Sequence, residues 1–243
     1  MVLGLGQTLG ETYRVTAFDR PGHGASGRAS QDGSLRTQAR ALREALQALD
    51  LHRPIVVGHS VGASLALTMA LDAPDELSGI VALAPLVFPE PRLEMVLFGP
   101  RAVPIVGPLL IQPLARAADN AVLPILWNAM FFPQAMPASF AELLPFRALA
   151  ADGELIRTGE DALAVTADLL LNAARYANCR LPTVILGGTH DIVVNNAVHG
   201  RTLGAIMPGV RFEWVVGAGH MLQHAAPGRI KAAIDRIAET AAV

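Results

Sequence analysis

Residues 55–64 read IVVGHSVGAS. The β-branched run Ile55, Val56, Val57 suits a buried strand. Gly58, His59, Ser60, Val61 and Gly62 do not continue one. From Val61 onward the residues are small and apolar, a helix packed on that strand over 61–73. A strand that turns straight into a helix needs a tight, strained junction. The reading predicts small residues at 58 and 62, where strand and helix cross closely, and Ser60 lifted above the strand end. The helix N-terminus beside it offers unpaired N–H groups and positive potential, with the N–H of Val61 as the expected donor to a developing negative charge.

A serine raised in this way becomes reactive only with a base, and the base needs an acid to orient it. In the strand–Ser–helix arrangement the partners follow in the order Ser, acid, His, each after a later strand. Asp191 lies just past the apolar run TVILGGTH, and His220 just past FEWVVGAG. Both fall at the carboxyl ends of expected strands, where open α/β sheets build their sites. His224 competes with His220 as a base, and the GAGH context after the strand favours His220.

The rest of the chain fits this frame. Strands are expected over 13–18, 54–58, 79–85, 182–188 and 210–216. Helices are expected over 34–49, 61–73, 195–207 and 226–242. Leu35, Ala39, Leu42, Leu46 and Leu49 recur at steps of four and three, one face of a helix. The strands are short apolar runs without polar alternation, which predicts an α/β fold with a mostly parallel sheet covered by helices on both faces. Residues 86–180 break the rhythm: Pro-rich, apolar and helix-leaning, they read as a helical insertion between two sheet strands. The core is then 1–85 with 181–243.

Composition narrows the class. Of 243 residues, 52% are hydrophobic and 16% charged, and the formal net charge is −2. No basic run suggests a nucleic-acid partner. The single cysteine, Cys179, excludes an intrachain disulfide. The first fifteen residues lack the basic and apolar regions of a signal peptide. The apolar stretch 102–114 is broken by Pro104, Gly107, Pro108 and Pro113, short of the roughly 20 apolar residues a membrane span needs. A cytoplasmic protein is expected, acting on a small apolar molecule, with its oligomeric state left open.

Four stretches, FDRPGHGASGR (18–28), VVGHSVGAS (56–64), GGTHDIVV (187–194) and GAGHMLQHAAPGRI (217–230), together resemble the α/β-hydrolase fold family, specifically its lidded bacterial members. The resemblance implies a catalytic triad of Ser60, Asp191 and His220, an oxyanion donor at Val61, and a helical cap over 86–180 with Trp127, Met130, Phe131 and Phe132 as candidate pocket walls. It implies a serine hydrolase of small to medium apolar carboxylic esters, working without a cofactor or metal. The same triad also serves C–C bond hydrolases and cofactor-free perhydrolases, which the sequence does not separate from esterases.

Two departures qualify the picture. GHGASG (22–27) matches a dinucleotide-binding pattern, but no apolar-periodic helix opens on it and no acidic residue follows at the needed distance. It resembles the family's structural turn, with Asp19 and Arg20 as its fixing polar groups, and His23 and His59 are expected as structural support. The family also places a His-Gly loop, which donates a second oxyanion N–H, well before this turn. Only 18 residues precede Asp19 and none forms a His-Gly pair, so that loop and the first strands of the sheet are expected to be absent. A misassigned start and a chain that lacks the segment both remain open, the latter as an inactive, hydrolase-like binding protein.

Overall fold

A computed structural model describes residues 2–28, 32–143 and 153–241. The chain order is α1 (Val2–Gly10), α2 (Leu35–Ala48), β1 (Ile55–His59), α3 (Val61–Asp72) and β2 (Gly79–Leu83). A helical stretch follows, with α4 (Leu93–Leu97), α5 (Gln112–Phe131), α6 (Ala138–Leu143) and α7 (Glu154–Ala173). The chain then returns through β3 (Thr183–Gly188), α8 (Gly200–Ile206), β4 (Val210–Val215), α9 (Leu222–Ala225) and α10 (Pro227–Ala241).

The four strands form one parallel sheet in the order β1-β2-β3-β4. Every residue of β2 and β3 is buried. Alternate side chains serve opposite faces. Ile80, Ala82 and Ile185 pack with α2, α3, α7 and α8 through Leu35, Ala39, Leu67, Leu169 and Leu203. Val81, Leu83, Val184 and Leu186 pack with α1, α9 and α10 through Leu5, Leu9, Leu222, Ile230 and Ile234. Two covered faces are why these strands lack polar alternation.

The strand expected over 13–18 does not form. Residues 14–20 run as coil with mostly exposed side chains. A strand exists only with a ladder partner, and this segment is instead held between two anchors. At one end the Tyr13 hydroxyl donates to Asp235 Oδ1 on α10 at 2.6 Å. At the other, Arg20 Nη1 reaches Asp161 Oδ2 on α7 at 2.6 Å. The helix expected over 195–207 is confined to Gly200–Ile206, because Asn196 is drawn into a turn by its bond to Asp191. The other sheet strands and helices named from the sequence form within two residues of their expected bounds.

Asp161 is the hub that fixes the 19–28 turn to α7. It receives Arg20, His23 Nε2 at 2.8 Å and Arg28, while His23 Nδ1 faces Glu154 Oε2 at 3.0 Å. Burial alone pushes the Asp161 carboxyl up, but its bond to His23 and the charges of Arg20 and Arg28 hold it below the usual carboxylate range. Within the helical stretch, α5 is fastened by a buried pair between Arg101 and Asp119, at 2.5 and 2.8 Å.

Candidate active site

Ser60 sits between the end of β1 and the start of α3 with φ 55° and ψ −123°. An L-residue in that region stores roughly 1–3 kcal/mol of strain. The surroundings enforce it. The Ser60 N–H donates to Leu83 O on the neighbouring strand at 2.9 Å, and α3 is seated by fully buried Leu65, Ala66 and Leu67. Gly58 makes the crossing feasible, since a Cβ there would lie 2.3 Å from Gly62 O and 2.6 Å from Ala63 Cα. The expectation for Gly62 is corrected: a Cβ at that position meets nothing within 4 Å, so close packing does not explain the second glycine. The Ser60 side chain makes no capping bond to its helix. The Val61 N–H, at the first helical position, has no carbonyl of its own helix to bond.

Asp191 follows β3 and is held by four donors. Oδ1 accepts the N–H groups of Val193 and Val194, both at 2.9 Å. Oδ2 accepts Asn196 Nδ2–H and His220 Nδ1–H, both at 2.9 Å. The side chains of Asp191 and His220 are each only 1% exposed. Burial pushes the Asp191 carboxyl up, yet its hydrogen bond and charge interaction with His220, followed by the two backbone bonds, bring it below its ordinary value. It is a carboxylate at neutral pH. That fixes the His220 proton on Nδ1 and leaves Nε2 as the acceptor. His220 Nε2 is buried and has no hydrogen-bond partner among the described residues.

His59 links this pair to the serine turn. It directly precedes Ser60, and its ring centroid lies 4.5 Å from that of His220. Its Nε2–H donates to the His220 carbonyl at 2.9 Å. Burial, aided by the neighbouring His220, pushes the His59 pKa down to about 3. A neutral ring can lie against His220, tilted by 50°, without repelling a positive charge that forms there.

His224 is placed differently. Its ring packs against Phe131 and Phe140, with centroids 5.2 and 5.9 Å away. Its Nε2 has no partner among the described residues, and burial pushes its pKa down. Of the four candidate pocket walls, Phe131 is 1% exposed and joins Phe140 and Met221 in an apolar cluster. Trp127 and Met130 pack half-buried against that cluster. Phe132 is 49% exposed. All four lie near the His220 loop, through Met221 in the cluster and through Phe132 O, which faces Gly219.

Sequence reasoning missed Asn196, which shares Asp191 Oδ2 with His220, and Gln134, which bonds the backbone on either side of Ala218. Asn196 lies five residues past Asp191, and the Asn195–Asn196 pair closing the apolar run 192–194 was the available signal. Gln134 had none, being more than eighty residues from the loop it contacts.

The family model for the alpha/beta hydrolase fold matches residues 2–227. The chain belongs to that family. It is 26% identical over 248 residues to an uncharacterized protein of Mycobacterium tuberculosis, covering 98% of this chain and 71% of the relative. Among solved structures it is similar to an esterase from Exiguobacterium antarcticum (TM-score 0.72, 19% identity, 98% and 85% coverage). It is also similar to an enol-lactonase from Burkholderia xenovorans (TM-score 0.71, 18% identity, 98% and 84% coverage). At such identities the two structures establish the fold alone. Family membership supports hydrolase activity. Among the described residues, no helix is long and apolar enough to cross a membrane.

Proposed function

We propose that the protein is a serine hydrolase of small to medium apolar carboxylic esters. The observation that carries this reading is a strained serine at a strand–helix junction, next to a buried histidine whose Nδ1 is held by a carboxylate. Ser60 Oγ attacks the acyl carbon while His220 Nε2 takes its proton. The charge on the carbonyl oxygen is met by the Val61 N–H and the positive end of α3. Asp191 keeps the imidazole in the Nδ1–H form and stabilises the imidazolium. Collapse breaks the C–O bond, and the leaving alkoxide takes the proton from His220. Water then attacks the acyl-serine with His220 again as base, releasing the carboxylic acid and restoring Ser60.

Residues 86–180 act in this reading as a cap over the site, with Trp127, Met130 and Phe132 facing substrate and Phe131 anchoring them from the core side. Between residues 103 and 141 only Arg116 and Asp119 are charged, which favours an apolar acyl or alcohol group. A panel of p-nitrophenyl esters of rising acyl length tests the assignment. Turnover of at least one ester, abolished in Ser60→Ala and His220→Ala, is the expected result. Equal hydrolysis by wild type and Ser60→Ala would remove the serine from the chemistry.

A further inference from the structure

We infer that Gln134 is a positioning residue for His220, through which the helical stretch between β2 and β3 sets the pose of the base. This rests on the serine-hydrolase reading above. His220 ends a loop that leaves β4 at Val216 and contains Gly217 and Gly219. Gly217 has φ 77°, and two glycines in three residues leave the backbone few intrinsic restraints. The restraint comes from outside. On one side, the Gly217 N–H donates to Thr189 Oγ1 at 2.9 Å and the His190 N–H to Ala218 O at 2.9 Å. These tie the loop to the turn that carries Asp191.

On the other side stands Gln134. Its Nε2–H donates to Gly217 O at 2.8 Å, and its Oε1 accepts the Gly219 N–H at 3.1 Å. One side-chain amide thus bridges the peptides on either side of Ala218. The approach is close as well as polar, because a Cβ on Gly219 would lie 1.7 Å from Phe132 O. Side chains thus hold the backbone both before and after His220. The Gly219 N–H before it goes to Gln134, and the His220 carbonyl after it takes the His59 Nε2–H. Only a side chain with both a donor and an acceptor at this reach fits the Gln134 position. Methionine offers no donor and only a weak thioether acceptor, and a carboxylate offers only acceptors, one of which would face Gly217 O.

The His220 ring must present Nε2 to Ser60 while Nδ1 stays on Asp191, and small displacements of a reacting group carry large rate penalties. Gln134 touches no reacting atom in this arrangement. It acts by holding the loop from which the ring projects. Because Gln134 belongs to the stretch that carries Trp127, Met130 and Phe132, a shift of that stretch reaches the base through two hydrogen bonds.

The test compares the full chain with Gln134→Met and Gln134→Glu. Three quantities are read: the second-order rate at which a fluorophosphonate labels Ser60, kcat and KM for a turned-over ester, and the far-downfield proton NMR signal of a histidine N–H held by a carboxylate. Expected for Gln134→Met are labelling and kcat about tenfold lower, which is about 1.4 kcal/mol of activation free energy. KM should stay within about twofold and the downfield signal should broaden or vanish, with a thermal midpoint close to wild type. Gln134→Glu, which sets a carboxylate oxygen against Gly217 O, should lose at least as much. If Gln134→Met fails to fold, Gln134→Glu supplies the same comparison. Wild-type labelling, wild-type kcat and an unchanged downfield signal in the variants would overturn the inference. If the wild-type protein itself is not labelled, the hydrolase reading fails. The NMR signal then still decides the positioning role: its loss in Gln134→Met upholds the role, and its persistence removes it.

Discussion

Replacing Asp191 with Asn changes one oxygen to an amide nitrogen and leaves the volume of the side chain intact. In the native site the carboxylate accepts four hydrogen bonds, from Val193 N–H, Val194 N–H, Asn196 Nδ2 and His220 Nδ1. An Asn at 191 keeps its oxygen on the two backbone N–H groups. Its amide then faces two donors, the Asn196 amide and the His220 Nδ1–H. The nearest escape is for His220 to move its proton to Nε2, which puts a hydrogen on the atom that must accept one from Ser60. The imidazolium also loses its neutralising charge. Loss of the orienting carboxylate in a triad of this kind costs about 10⁴ in kcat, or about 5.4 kcal/mol at 1.36 kcal/mol per decade. Folding stability should fall far less, by about 1.5–3 kcal/mol for a lost charge-assisted hydrogen bond. Steady-state hydrolysis of p-nitrophenyl butyrate, or the best ester of the panel, measures the first quantity and urea unfolding the second. A folded Asp191→Asn protein with kcat within tenfold of wild type would refute the assigned role of Asp191.

Gly58→Ala forces a methyl against the backbone of Gly62 and Ala63, which cannot swing aside. A loss of about 1–3 kcal/mol in urea unfolding is expected, with Ser60 reactivity falling alongside; an unchanged midpoint would mean that strand and helix do not cross so closely. Asp161→Ala leaves Arg28 and His23 without their shared partner near α7 and should cost about 3 kcal/mol, seen as a lowered thermal midpoint and faster proteolysis at residues 19–28. Acid stability follows from the carboxylates held below their usual value, among them the buried Asp161 and Asp191. Each binds protons less readily folded than unfolded, so the stability it contributes is complete above about pH 5 and drains as pH falls through 3.8 toward the lower folded value. Unfolding free energy measured between about pH 6 and 3 should decline at the acid end, and a flat profile would contradict the ion-pair assignments.

Much of the core was legible because it is written locally. The runs at 55–57, 79–83 and 183–188 are strand-like wherever they are met, and the Ser60 turn announces itself by two glycines between a β-branched run and a small-residue helix. The places of Ser60, Asp191 and His220 just past such runs were also visible, and of these the structure joins Asp191 and His220 at 2.9 Å. Other features depend on partners far along the chain. The 13–18 segment has strand composition, but composition supplies no ladder neighbour, and its ends are fixed by Asp235 and Asp161. Asp161 itself looks like an ordinary polar helix residue until three side chains of the 19–28 turn converge on it. Phe131 and Phe132 are adjacent and chemically alike, yet one is sealed in a cluster and the other half exposed. Phe131 ends α5 while Phe132, with ψ 137°, has already left the helix, and composition does not record that.

The central claim is that Ser60, His220 and Asp191 together make an activated nucleophile. Intact-mass analysis of the protein after treatment with a fluorophosphonate, beside Ser60→Ala, tests it most directly. The account predicts one equivalent of adduct, mapped to Ser60, absent from Ser60→Ala and suppressed in His220→Ala. A folded wild-type protein that takes up no adduct, or takes it up equally without Ser60, would contradict it.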